Sequence, residues 1–148
     1  MCSSDLISAI ARKWVESWEH LETRMLPEIK SFLAEDFEFV CPGEPGTVPF
    51  IGTFQGAAGI QQWLDAYFSL IQRNKSTDME YMVGENSVVA RWLECGTFMG
   101  QPAPPVRINM HFQFVDGLIA RIVDDYDTQT GATIASDANS KLLDDSKA

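Results

Sequence analysis

The chain has 148 residues, 45% of them hydrophobic, which fits one globular domain with a real core. Its formal net charge of −10 disfavours non-specific attachment to nucleic acid or to an anionic membrane. Cys2, Cys41 and Cys95 are odd in number and widely spaced, so they fit neither a disulfide framework nor a zinc site. The start, MCSSDLISAIARKW, has no long apolar run behind a basic segment. The expectation is a cytoplasmic chain with no secretion signal and no membrane span.

Taken in order, residues 5–22 read as an amphipathic helix, with N-cap candidates in SSD and an apolar stripe of Leu6, Ile10, Trp14 and Trp18 or Val15. PEIKSFLAE reads as a second, shorter helix opened by Pro27. DFEFVC alternates like a strand and runs into PGEPGTVPFIG, whose prolines and glycines demand a loop, a stiff rim to any cavity nearby. QGAAGIQQWLDAYFSLIQR is the clearest helix. Then the texture turns β-branched and aromatic: TDMEYMVGE, SVVARWLECGTFM, VRINMHFQFV and LIARIVDDYD read as four strands. GEN and the Asp-Gly of VDGL mark hairpins, and GQPAPPV reads as a longer, stiffer connection. An antiparallel meander must bury one face, and the helices are its only cover. The fold class is therefore α+β, a curved antiparallel sheet wrapped around a long helix. A single domain spans residues 1–134, and a polar, acidic tail follows from 135 to 148.

The last strand sets Asp124, Asp125 and Asp127 around Tyr126, and the turn geometry decides which of them face inward. With Asp116-Gly117 as a two-residue turn and a regular ladder beyond it, Phe114, Phe112, Met110 and Ile108 share a face with Ile119, Arg121, Val123, Asp125 and Asp127. Asp124 and His111 then lie on the outer, polar face. In that register Asp125 and Asp127 extend an apolar line, where lost hydration raises a carboxyl pKa toward the range a general acid or base needs. A bulged turn would reverse the facing and bring Asp124 and Tyr126 inward with His111. Arg121, odd in an apolar line, could pair with an interior carboxylate or an anionic substrate oxygen, or let its head group escape to water. Cys41 reads as a small core thiol or a nucleophile without a visible base. Trp14, Trp63, Tyr67, Trp92 and Phe112 are core aromatics or the lining of an apolar pocket. No metal-ligand spacing, phosphate loop or nucleophile elbow occurs.

Four features then resemble the NTF2-like superfamily and its SnoaL-like and ketosteroid-isomerase-like branch: FLAEDFEFVCPG, FQGAAGIQQWL, the FVDGLI hairpin, and an Asp just past the core of the last strand, here Asp127. In their order along the chain they cover about residues 5–130. The resemblance implies an NTF2-like cone-shaped barrel with an apolar pocket, often a homodimer through its sheet. It also implies a cofactor-independent isomerase, dehydratase or polyketide cyclase, or a module of the same fold that only binds. The isomerase branch would place a base at Cys41, an oxyanion-side acid at Met110 and a tyrosine near Trp14, and this sequence carries none of the three. The expected catalytic set is thus Asp127 or Asp125, assisted by His111 or Tyr126. Trp14, Cys41, Trp63, Tyr67, Trp92, Met110, Phe112 and Arg121 are the expected contacts to a small apolar molecule.

Overall fold

The computed structural model describes residues 4–127 together with 130, 131, 133, 134, 136 and 137; at 74 and 75 it describes the backbone alone. Apart from 136 and 137, the expected polar tail lies outside the described residues, as does Cys2.

Helix α1 (Ser4–Leu21) buries Ile7, Ile10, Ala11, Trp14, Val15 and Trp18 at three- and four-residue spacing, the stripe that a helix must turn toward a core. Leu6, expected in that stripe, is exposed, and Ile7 takes its place. A 3-10 turn (Glu22–Arg24) leads to α2 (Leu26–Ile29), a single turn begun at Pro27. The chain needs a strand rather than a helix by Leu33, so α2 is far shorter than the periodicity of PEIKSFLAE suggests. β1 (Leu33–Cys41) buries Phe37, Phe39 and Cys41 on alternate positions and leaves Glu38 and Val40 half-buried on the other face.

The Pro- and Gly-rich loop follows, and then a short strand that the sequence pattern did not disclose, β2 (Gly52–Gln55). Helix α3 (Gly56–Leu70) buries Gly59, Ile60, Trp63, Leu64 and Tyr67. It approaches β2 so closely that a Cβ on Gly59 would stand 2.8 Å from the carbonyl carbon of Phe54. Glycine is required there for contact rather than for conformation.

The remaining strands are β3 (Ile71–Val83), β4 (Ser87–Phe98), β5 (Gln101–Val115) and β6 (Leu118–Tyr126). GQPAPPV is not a long connection. Met99 and Gly100, at φ 51° and 78°, make a two-residue turn, and β5 runs through the prolines. The physical reason is the edge: β6 pairs with β5 only from Ile108 onward, so the proline-bearing half of β5 has a single partner strand and residues without an N–H are tolerated.

The six strands lie in the order β2-β1-β6-β5-β4-β3 and form one open, curved sheet. It is mixed, because β1 runs parallel to β6 while every other pair is antiparallel. The expected all-antiparallel sheet is corrected at that one junction. It arises because β1 precedes the meander and must join it across α3. Helices α1 and α3 cover the inner face, and between helices and sheet sits a core rich in Trp and Phe: Trp14, Trp18, Trp63, Trp92, Phe37, Phe39 and Phe112 are all fully buried. Side chains of this size each stabilise the fold by about 1.5–3 kcal/mol or more on burial. Trp63 packs between Phe39 at 4.3 Å and Tyr67 at 4.9 Å.

The final hairpin carries the main correction. Asp116 and Gly117 do form a two-residue turn, at φ 52° and 79°, and Val115–Leu118 and Phe114–Ile119 pair as expected. Ala120 is then an extra residue in β6. Gln113 pairs with Arg121, Phe112 with Ile122, His111 with Val123, Met110 with Asp124 and Ile108 with Tyr126. This bulge lies within β6 rather than in the turn, and it exchanges the two faces of the strand beyond it. Asp124 becomes buried, Asp125 becomes exposed, and Arg121 moves to the outer face, where it pairs with Glu38 at 2.9 Å. His111, itself on β5, keeps its outward facing.

Candidate active site

A cavity of about 110 Å³ opens at one end of the sheet, between α3, the inner face of β4–β6 and the loop after β1. Its wall is mostly apolar: Val48, Phe50, Ile51, Ile71, Phe98, Val106 and Ile108. The loop forms one side, as its prolines suggested. Thr47 donates from its hydroxyl to the Glu44 carbonyl at 2.9 Å, and Phe50 is pinned in the core against Tyr67 at 5.2 Å.

Two buried carboxyl groups line this cavity. Asp124 enters through the bulge. It is 5% exposed, and the Cys41 thiol approaches Oδ2 at 3.9 Å, while Oδ1 is buried with no hydrogen-bond partner among the described residues. Burial, then the negative charge of Glu94, then that of Asp125, push its pKa up to about 7, against a smaller opposing effect of the Cys41 contact. Glu94 enters by plain strand alternation, following Val88, Ala90 and Trp92 on the inner face. Unlike Asp124 it is well partnered: Trp92 Nε1 donates to Oε2 at 2.8 Å and Arg73 Nε to Oε1 at 2.7 Å. Burial raises the Glu94 pKa, and the Arg73 guanidinium acts against that rise. Burial likewise pushes the Cys41 thiol and the Tyr67 and Tyr126 phenols up, keeping all three protonated near neutral pH.

Of the residues singled out in the sequence, Cys41, Tyr67 and Tyr126 line the cavity. Trp14, Trp63, Trp92, Met110 and Phe112 are core residues outside its lining. Asp125 is exposed opposite Asn109. Asp127 is also exposed and caps the next turn, accepting from the Thr130 backbone N–H at 3.1 Å and from its hydroxyl at 2.6 Å. Asp124 was read as outward because nothing in LIARIVDDYD marks a bulge. Glu94 was missed although its signal was present, a glutamate in phase with the buried residues of SVVARWLEC.

The fold and this end-of-sheet cavity together define the NTF2-like class. The SnoaL-like domain family matches residues 11–122, and the chain belongs to that family. An NTF2-like protein from Burkholderia xenovorans LB400 superposes with a TM-score of 0.76 at 16% identity, over 90% of this chain and 98% of that one. TerC, co-crystallised with polyporic acid, gives a TM-score of 0.67 at 20% identity over 86% and 98%. A candidate polyketide cyclase from Xanthomonas campestris pv. campestris gives 0.67 at 14% identity over 90% and 99%. No curated protein sequence matches the chain. No helix among the described residues is long and apolar enough to cross a membrane.

Proposed function

We propose that this chain is a cofactor-independent acid–base enzyme acting on a small, largely apolar molecule, in the isomerase, cyclase or dehydratase class. Asp124 moves the proton. One observation carries the reading: a carboxyl group buried in an apolar cavity, with one oxygen unpartnered and a pKa raised to about 7. Such a group is present in both protonation states near neutral pH, so it can both take and give a proton. The Tyr126 hydroxyl, also in the cavity wall and held protonated, is a hydrogen-bond donor available to an oxygen of the substrate. The aliphatic and aromatic walls exclude water, which strengthens both interactions. The family membership and the likeness to a candidate polyketide cyclase support this class of chemistry.

Asp125 and Asp127 are left without a part in proton transfer, and His111 with them. The outer sheet face instead presents Val89, Arg91, Asn109, His111 and Val123 in facing pairs, and self-association through this face belongs to the same reading.

The test is hydrogen exchange into small cyclic ketones in D2O, followed by NMR, for the wild type and for Asp124→Asn, Asp125→Asn and Asp127→Asn. Loss of a general acid–base group costs typically 10²–10⁴-fold, so Asp124→Asn is expected to fall by about that much and the other two by less than about threefold. Exchange that survives Asp124→Asn would remove Asp124 as the proton carrier, and a wild type that promotes no exchange would leave a module that binds without catalysis.

A further inference from the structure

The cavity is acidic as well as apolar. Among the described residues, the charged groups in its wall are Glu44 at the rim, Glu94 and Asp124, with no Lys or Arg. The guanidinium bonded to Glu94 is committed elsewhere. Besides Glu94, Arg73 donates to the Ser76 hydroxyl at 2.6 Å and to the Glu19 carbonyl at 3.4 Å, and it lies 4.1 Å over the Trp18 ring. Asp124 makes no ion pair among the described residues, and its Oδ1 is buried without a partner. The aromatic residues Phe50, Tyr67, Phe98 and Tyr126 complete the wall.

We propose that the cavity binds a small organic cation, a protonated amine of about one ring's size, whose N–H group bonds to the free Oδ1 of Asp124. This rests on the site assigned above and names its substrate class. A buried carboxylate without a counter-ion is costly, and an ammonium group supplies both the missing charge and the missing donor. Aromatic walls add attraction for a cation. A carboxylate ligand would instead meet Glu94 and Asp124 and be rejected. Size follows from volume: a cavity of ~150 Å³ holds benzene in an engineered protein, and this one measures about 110 Å³ and opens outward.

The pH dependence follows from what surrounds Asp124: Cys41 from β1, Tyr67 from α3, Glu94 from β4, and Tyr126 and Asp125 on its own strand. Tyr67, Tyr126 and Cys41 stay neutral near neutral pH, and Glu94 is already paired with Arg73 and Trp92, so the change is assigned to Asp124. A bound cation favours its ionised form, so affinity for an ammonium ligand rises between about pH 5.5 and pH 8, and binding releases a proton at the lower end.

The probes are benzylamine, benzyl alcohol and benzoate, titrated into the full chain by calorimetry at both pH values. At the higher pH, protonated benzylamine is expected to bind about tenfold more tightly than benzyl alcohol, and benzoate more weakly than either. Asp124→Asn should bring the amine and the alcohol to similar affinities while keeping alcohol binding, which reports an intact cavity. If that variant does not fold, the wild-type pH dependence decides the matter. The proposal is overturned by failure of benzylamine to bind, by benzoate binding as tightly as the amine, by a preference that outlasts Asp124→Asn, or by amine affinity that falls as pH rises. Absence of amine preference with Asp124-dependent exchange intact would remove this inference and leave the enzymatic reading. An amine preference without exchange would do the reverse.

Discussion

Asp124 and Glu94 lie in the same cavity wall, and their environments differ in one respect that decides their roles. Glu94 has a guanidinium and an indole N–H; Asp124 has a thiol at 3.9 Å and an oxygen with nothing bonded to it. Glu94 is thereby fixed as part of the framework, since removing a partner from a buried ion pair typically costs about 3–5 kcal/mol. Asp124 is left able to exchange its proton. Its raised pKa has a stability consequence with a definite sign. The folded chain keeps the proton up to about pH 7, whereas the unfolded chain loses it near pH ~3.9. Stability is therefore highest below that lower value and falls as pH rises toward the folded midpoint, with a limiting slope of about 1.4 kcal/mol per pH unit from this group. Asp124→Asn should remove this slope. Thermal unfolding is expected to show the variant gaining on the wild type from about pH 5 to pH 8, at roughly 2–4 °C per kcal/mol. Parallel Tm curves for the two proteins would show that Asp124 is not held protonated in the fold.

At the scale of elements, the site depends on a single extra residue in β6. If Ala120 were paired with Gln113 instead of bulged out, the ladder from Phe114–Ile119 onward would continue in phase, and the two-residue alternation of side chains would put Asp125 inside and Asp124 outside. The bulge thus turns Asp124 inward in place of Asp125, and it turns Arg121 toward Glu38. Deleting Ala120 is the direct test. Aspartate-selective 13C NMR of the wild type should show one carboxyl titrating near pH 7, and because the deletion removes only the unpaired residue and leaves Gln113–Arg121 and Met110–Asp124 paired, Asp124 should keep that midpoint in the deletion variant. An Asp124 that titrates as an exposed acid after the deletion would mean that Ala120 is not the residue left out of the ladder.

Across the whole molecule, the open sheet leaves a hollow at one end, bordered by Tyr67 of α3 and by Gly131 and Ile134. Trp14, Trp18, Trp63 and Trp92 fill the middle of the core, whereas near the Met99–Gly100 turn the inner face is lined by smaller residues such as Gly96, Thr97 and Ala103. Ala103→Leu should occupy part of that hollow. Binding of whichever probe the wild type takes is expected to weaken by about tenfold or more, while the urea midpoint shifts by less than about 1 kcal/mol, because the position already borders free space. Unchanged affinity would place the ligand elsewhere.

The amino-acid sequence alone determined the order of the elements other than β2, the packed faces of α1 and α3, and the Asp-Gly hairpin turn, because these follow from periodicity and turn chemistry within short windows. It also placed Cys41, Tyr67, Tyr126 and the Pro-rich loop among the residues of interest, and its motifs resembled the family to which the chain belongs. Four things were left to the tertiary structure: the parallel β1–β6 junction, the short strand β2, the passage of β5 through its prolines, and the identity of the inward acid. Each depends on a pairing between segments distant in sequence. A bulge costs a strand little where a neighbouring strand and a core accommodate it, so it leaves no local signature, and one residue of slip was enough to exchange Asp125 for Asp124 in the cavity.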